Sequence, residues 1–228
     1  PPDHLQEDPG PMTARRTSPT NVGMMLASTV AAYDLGFIEA RELAARVHQT
    51  LDALGRLPRH RGHWLNWYAT QDLTPLEPRY VSTVDSGNLA AALLVVARGL
   101  DDARHEGVPY PARARGIADT VAVLGDAVAR LRGQLGDRGV QRTFATAATT
   151  LAELEHELRA AANRPFVARR TALAHAEGEL ARVSESLVAA VERAPGGAPY
   201  LAVGELRAWV DQALSEAAAT RAEVDAAV

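Results

Sequence analysis

Between residues 113 and 226, apolar side chains recur at the three- and four-residue spacing of a single helix face. Val121, Leu124, Val128 and Leu131 make one stripe. Leu151, Leu154 and Leu158 make a second, Leu173, Leu180, Val183, Leu187 and Val191 a third, and Leu206, Val210 and Leu214 a fourth. A strand alternates with a period of two, so this half is not built for a sheet. The spacing predicts four long helices, over 113–135, 141–162, 166–193 and 203–226. GDRG at 136–139, Asn163-Arg164-Pro165 and the run Pro195-Gly196-Gly197-Ala198-Pro199 break them. The stripes are narrow, as in coiled coils, and few aromatics or clustered polar groups accompany them. A helical bundle or hairpin with a structural role is expected.

The first hundred residues are helical too, but more often interrupted. Residues 1–17, PPDHLQEDPGPMTARRT, carry four prolines and read as extended and turn-rich. Ser18-Pro19 is a good helix start, with serine as cap and proline in the first turn. Val22, Met25, Leu26, Thr29, Val30 and Tyr33 follow on one face, and Gly36 ends the helix. A second helix is expected over about 39–56, with Leu43, Val47, Leu51 and Leu54 inward, antiparallel to the first across a short connection. A third is expected from about Ser86, through Leu89, Leu93, Val96 and Leu100, with Asp85 and Ser86 at its cap. The fold class is therefore all-α.

Composition narrows the function. The net charge of −4 gives no reason to expect nucleic acid, and the chain has no lysine. There is no cysteine, hence no disulfide, thiolate nucleophile or thiolate metal site. No apolar run approaches the length of a bilayer span. The chain opens on proline and is expected to be a piece of a longer protein.

Chemistry concentrates in Leu57 to Leu89, LPRHRGHWLNWYATQDLTPLEPRYVSTVDSGNL, too long and too irregular for a plain connector. It holds Trp64, Trp67, Tyr68 and Tyr80 beside Asn66, Asp72, Ser82, Asp85 and Asn88. Aromatic faces next to amide, hydroxyl and carboxylate groups suit a sugar, which has apolar C–H faces and a rim of hydroxyls; the same aromatics also serve as plugs for a helical core. Residues 64–70 and 79–84 are expected to form a short hairpin. His60 and His63 have metal-ligand spacing but no third ligand, so no metal is expected. Ser82 to Asn88 open a helix, where hydroxyls hold an anion, a substrate hydroxyl or simply the helix's own amides. Glu7 beside Asp8, near Arg15 and Arg16, offers a carboxyl tuned by its neighbours. No nucleophile elbow, Walker loop or dinucleotide glycine loop is present.

Five phrases carry a resemblance: PPDHLQEDP, RRTSPTNVGMMLAS, DLGF, LPRHRGHWLNWYAT and PLEPRYVSTVDSGNLA. In this order they resemble the central region of cyclic β-1,2-glucan synthases, very large bacterial proteins of the inner membrane. The likeness covers about the first 100 residues; beyond them it is a shared helical character and the phrase ELRAWVDQAL. The resemblance implies that residues 1–100 are the N-terminal part of an α/α toroid and that 101–228 are a bundle attached to it. It implies retaining transglycosylation of a linear β-1,2-glucan to a ring, without cofactor or metal. Glu7 and Asp85 are the carboxylates available for catalysis, with Arg16 to orient either. Trp67 and Tyr68 would stack on glucose rings, and His63, Asn66 and Asn88 would bind hydroxyls. The partners implied are a β-1,2-glucan oligosaccharide and the rest of the same polypeptide, with this segment in a soluble cytoplasmic part, away from the membrane. A catalytic carboxylate lying beyond Val228 would leave this piece inactive alone. The rival readings are a glucan-binding module without turnover and a helical scaffold. His4, Ala69 and Met24-Met25 depart from the family pattern, which has asparagine, aspartate and Leu-Tyr there.

Overall fold

Four of the helices enclose one apolar core. In the computed structural model, which describes residues 1–106, 110–193 and 200–226, these are α4 (Tyr110–Arg132), α5 (Arg138–Ala161), α6 (Phe166–Glu192) and α7 (Tyr200–Ala226). The earlier part of the chain supplies α1 (Pro19–Asp34), α2 (Ala40–Arg56) and α3 (Thr83–Glu106). The strands are β1 (Leu5–Gln6), β2 (Met12–Thr13), β3 (Arg16–Thr17), β4 (Arg59–His60), β5 (His63–Trp64) and β6 (Tyr68–Ala69). Each strand is two residues long and the described residues form no larger sheet, so the chain is all-α. The chain divides into two compact units, Pro1–Tyr33 with Ala40–Gly107 and Asp34–Glu39 with Val108–Val228.

The second unit contains a four-helix bundle. Helix α4 packs on α5 and α7, and α6 packs on α5 and α7, closing a square. Cross-helix pairs fix the directions. Arg130 pairs with Glu205, Thr120 with Glu216 and Arg113 with Glu223, so α7 runs against α4. Arg170 pairs with Asp225 and Arg221 with Glu177, so it also runs against α6. Inside, Val121, Leu124, Val128 and Leu131 meet Phe144, Leu151, Leu154 and Leu158, all at 2% exposure or less. All but Phe144 are the residues picked out by the helical spacing. The helix ends fall where local chemistry puts them. The Asp137 side chain accepts from the Val140 amide and starts α5 at Arg138, three residues before the expected start at 141. Pro165 precedes α6. The predicted break at Pro195–Pro199 lies outside the described residues.

Gly36 explains why the connection between α1 and α2 belongs to this unit. Its φ is +90°, and a side chain there would strike the carbonyl of Ala112. The backbones of Gly36 and Gly116 also meet closely enough to exclude a side chain at either position. Ile38, two residues on, is buried.

In the first unit, α1 and α3 cross at small residues. A Cβ on Gly23 would lie 3.1 Å from the Ala92 Cβ, and one on Gly99 would lie 2.5 Å from Val30 Cγ1. Moving forward along α1 therefore moves forward along α3, and the two helices are parallel. Parallel neighbours need a long crossover between them, supplied here by α2 and the 57–82 loop. Leu26, Val30, Val47 and Leu89 are buried, whereas Met24, Val84, Leu94 and Val95 are exposed. Leu51, expected inward on α2, is 43% exposed.

The expected hairpin of 64–70 with 79–84 does not form. Strand β6 pairs instead with β3, with Arg16 opposite Ala69 and Thr17 opposite Tyr68. Thr83 and Val84 already belong to α3, because the Ser82 hydroxyl accepts from the Asp85 amide and caps the helix earlier than expected.

Candidate functional site

The parallel arrangement of α1 and α3 brings their N-termini together, and a polar network occupies that junction. Ser18 caps α1 by accepting from the Asn21 amide at 3.2 Å. One turn in, the Thr20 hydroxyl donates to Asp85 Oδ1 at 2.6 Å and accepts from Asn88 Nδ2 at 3.0 Å. Asp85 is thus a first-turn residue of α3 rather than its cap, and its carboxylate is free to reach across to α1.

Asn66 joins this pair of helices to the loop. Of the two orientations of its amide, one satisfies every neighbour. In that orientation Nδ2 donates to Asp85 Oδ2 at 2.8 Å, and the oxygen accepts from the Trp67 indole N–H and from the Tyr80 hydroxyl at 2.7 Å. The Asn66 amide N–H also donates to the Tyr80 carbonyl at 2.9 Å. At 4% exposure Asn66 is a buried fastener, which fits the rule that buried amides are fully bonded.

Trp67 is half-buried, with the Arg16 guanidinium 4.3 Å from its ring centre. Arg16 is in turn held by Asp3, whose Oδ2 accepts from Nε at 3.2 Å and Nη2 at 3.0 Å. Asn21 donates to the other Asp3 oxygen. The chain of contacts therefore runs Asp3, Arg16, Trp67, Asn66, Asp85, Thr20.

The electrostatics assign the carboxylates. Burial pushes the Asp85 carboxyl up, but hydrogen bonds from the Ser82, Thr20 and Ser18 side chains and the Thr20 backbone outweigh it. Its pKa lies below the ordinary aspartate value, so the group is an ionised acceptor at neutral pH and no proton donor. For Asp3 the same opposition holds: burial raises its pKa, while Asn21, Arg16 and His4 bring it down.

Several expected roles change. Arg16 orients neither Glu7 nor Asp85; Asp3 takes its guanidinium, because Ala14, two residues before Arg16, exchanges backbone hydrogen bonds with Asp3 and His4. Tyr68 has no face to offer a sugar. It is 1% exposed, its hydroxyl donates to the Pro58 carbonyl and accepts from the Leu65 amide, both at 2.7 Å, and burial raises its pKa. Glu7 is exposed in the turn between β1 and β2, and no hydrogen bond or ion pair ties it to the network. His63 is exposed on the β4–β5 hairpin opposite His60. Trp64 serves that hairpin, donating to the Leu54 carbonyl at 3.0 Å under the Arg59 guanidinium. No cluster of three or more His, Asp or Glu side chains suited to a metal ion occurs among the described residues.

Sequence reasoning passed over Asp3, Thr20 and Tyr80 as site residues. Asp3 and Tyr80 lie within phrases that carried the resemblance, and Thr20 lies in RRTSPTN; that was the one available signal, since no local pattern links residues 65 or 68 positions apart.

No helix among the described residues is long and apolar enough to cross a membrane. No family model matches the chain. Over 132 residues, 58% of its length, the chain is 44% identical to the cyclic β-(1,2)-glucan synthase NdvB of Rhizobium meliloti, and this match spans 5% of that protein. The resemblance carried by the five sequence phrases is thus matched by a curated relative: this chain is similar to one short segment of a cyclic β-(1,2)-glucan synthase.

Proposed function

We propose that the first unit contributes part of a binding site for linear β-1,2-glucan in a retaining transglycosylase that closes the chain into a ring. The observation that carries this reading is a tryptophan whose indole is pinned by Asn66 beside the ionised Asp85. A glucose ring stacks on the Trp67 face turned away from Arg16, and its hydroxyls donate to Asp85. Asn88, bonded to Thr20 through its nitrogen, keeps its amide oxygen for a second hydroxyl. Preorganisation of this kind lowers the cost of ordering the site on binding.

The parallel α1 and α3 with α2 between them support the toroid reading, because in an α/α toroid successive inner helices run parallel with an outer helix returning between them. The proposed domain division places this partial toroid in residues 1–100 and the attached bundle in 101–228. The exposed Met24, Val84, Leu94 and Val95 then face further helices of the ring.

Asp85 is ionised, which suits a nucleophile or a charge-stabilising group rather than an acid, and the acid lies elsewhere. Glu7, exposed and unattached, is the remaining candidate of the pair, with His63 as a hydroxyl contact. Retaining chemistry needs two carboxyl groups about 5 Å apart or help from the substrate. The chain alone is therefore expected to bind the glucan weakly and to turn none over. The test is the larger polypeptide assayed on linear β-1,2-glucan. Glu7→Gln there lowers turnover by roughly two to four powers of ten if Glu7 is the acid–base group. Full activity of that variant removes Glu7 from the chemistry, and robust turnover by the 228-residue chain alone refutes the division of the site.

A further inference from the structure

The bundle carries a second feature with the chemistry of a sugar site, and nothing above uses it. A groove of about 560 Å³ opens between α4 and α7, with Phe37 of the Gly36 turn along one side and Trp209 along another. On its floor Glu216 is 8% exposed, and its two oxygens accept from the Thr120 hydroxyl at 2.7 Å and Gln212 Nε2 at 2.6 Å. Asp119 stands at the rim with one oxygen given to Arg159.

The remaining bonding capacity of these groups decides the ligand. Gln212 has given one of its two amide protons to Glu216 and presents the other beside its carbonyl oxygen. Thr120 has spent its proton and retains lone pairs, and Asp119 retains one oxygen. The wall is mostly apolar, with Phe37, Val123, Ala208 and Trp209 surrounding these few polar groups, and a ligand that satisfies it brings both apolar faces and hydroxyls. A second donor is the Trp209 indole N–H, which no protein group accepts among the described residues. A half-buried indole and a phenyl ring beside these acceptors fit a molecule with apolar C–H faces and many hydroxyls. An aliphatic partner helix would leave the acceptors unbonded, at a cost for each.

We infer that this groove is an accessory binding site for a neutral saccharide, with Trp209 as its stacking platform and Gln212 and Thr120 as hydroxyl acceptors. For a protein that handles a long glucan, such a site holds a distant part of the same chain. The identity of the saccharide rests on the function proposed above; the existence of the groove site does not.

The three tryptophan indole N–H groups make the test direct. Each gives its own nitrogen–proton NMR signal on the full 228-residue chain, assigned by replacing each tryptophan with phenylalanine. Titration with linear β-1,2-glucan is expected to move the Trp209 signal to saturation and to leave that of Trp64, tied to Leu54, unmoved. Gln212→Ala is expected to weaken the Trp209 titration severalfold without changing that of Trp67. If the Trp67 signal moves and the Trp209 signal does not, the groove site is overturned and the proposed function stands. If Trp209 moves and Trp67 does not, the reverse holds. If neither moves, both are overturned for this ligand.

Discussion

The two units are held together in different ways. The bundle is fastened by shape: Leu124, Val128, Phe144, Leu151 and Leu180 are all at 1% exposure or less, and the ion pairs lie mostly at its surface. The first unit is fastened by hydrogen bonds at long sequence separation, with Asn66, Asp85, Tyr68 and Thr20 each answering a group on another segment. An apolar core tolerates exchange of one hydrophobic residue for another of similar size, whereas a buried polar network fixes each atom's partner. The difference separates a unit held by shape from one held by partner-specific bonds.

Substitutions can break that contrast, and the largest effect belongs to the bundle. Phe144 is fully buried, so Phe144→Ala is expected to cost about 3–5 kcal/mol, read from denaturant unfolding followed by circular dichroism. Phe144→Leu should recover most of that loss, as expected where shape alone matters.

Next comes Tyr68→Phe, which keeps the ring and removes one oxygen. The Pro58 carbonyl and the Leu65 amide lose their partner in a buried place, at a cost of about 1–3 kcal/mol. A thermal midpoint unchanged from that of the unaltered protein would mean that packing alone holds Tyr68.

Asp85 sharpens the comparison through acid. Its folded pKa is below the ordinary aspartate value. Its contribution to stability is therefore complete above the unfolded value of about 3.9 and is lost as pH falls through the folded pKa. Asp3 acts in the same direction. Asp85→Asn should lower stability at neutral pH and flatten its dependence on pH below about 4. An acid profile unchanged by this substitution would show that the carboxylate carries no net benefit.

The smallest effect concerns a departure from the family pattern. Ala69 sits opposite Arg16 across β3 and β6, so an aspartate there gives Arg16 a second carboxylate besides Asp3. Ala69→Asp is expected to add about 0.2–1 kcal/mol, more at low salt than at high.

Legibility from sequence follows the same division. The helices after residue 110 were readable because burial repeats every few residues and nothing else competes with it. Ser18 and Gly36 were readable because caps and left-handed turns have local chemistry. The stretch Tyr80-Val81-Ser82-Thr83-Val84 looked like a strand because its residues are β-branched and aromatic; a single capping hydroxyl made it the start of α3. Trp67, Asn66, Asp85 and Asn88 were picked out by type, and the structure links them in one network or through Thr20. Tyr68 and Trp67 are neighbours of the same type, and no sequence signal separates them. Alternation across β6 buries Tyr68, and the bond to Asn66 holds Trp67 at the junction. Arg16 pairs with Asp3 rather than with Glu7 or Asp85, because Ala14 exchanges backbone hydrogen bonds with Asp3 and His4 and so brings that carboxylate beside the start of β3.

The central claim is that the hydrogen-bonded junction in the first unit holds a glucan through Trp67. Calorimetric titration of linear β-1,2-glucan into the larger polypeptide, with and without Trp67→Ala, tests it most directly. Loss of the stacking face is expected to weaken binding by about tenfold or more, while Trp64→Phe leaves it unchanged. Equal affinity of the Trp67→Ala protein and the unaltered one, with both folded, would contradict the account.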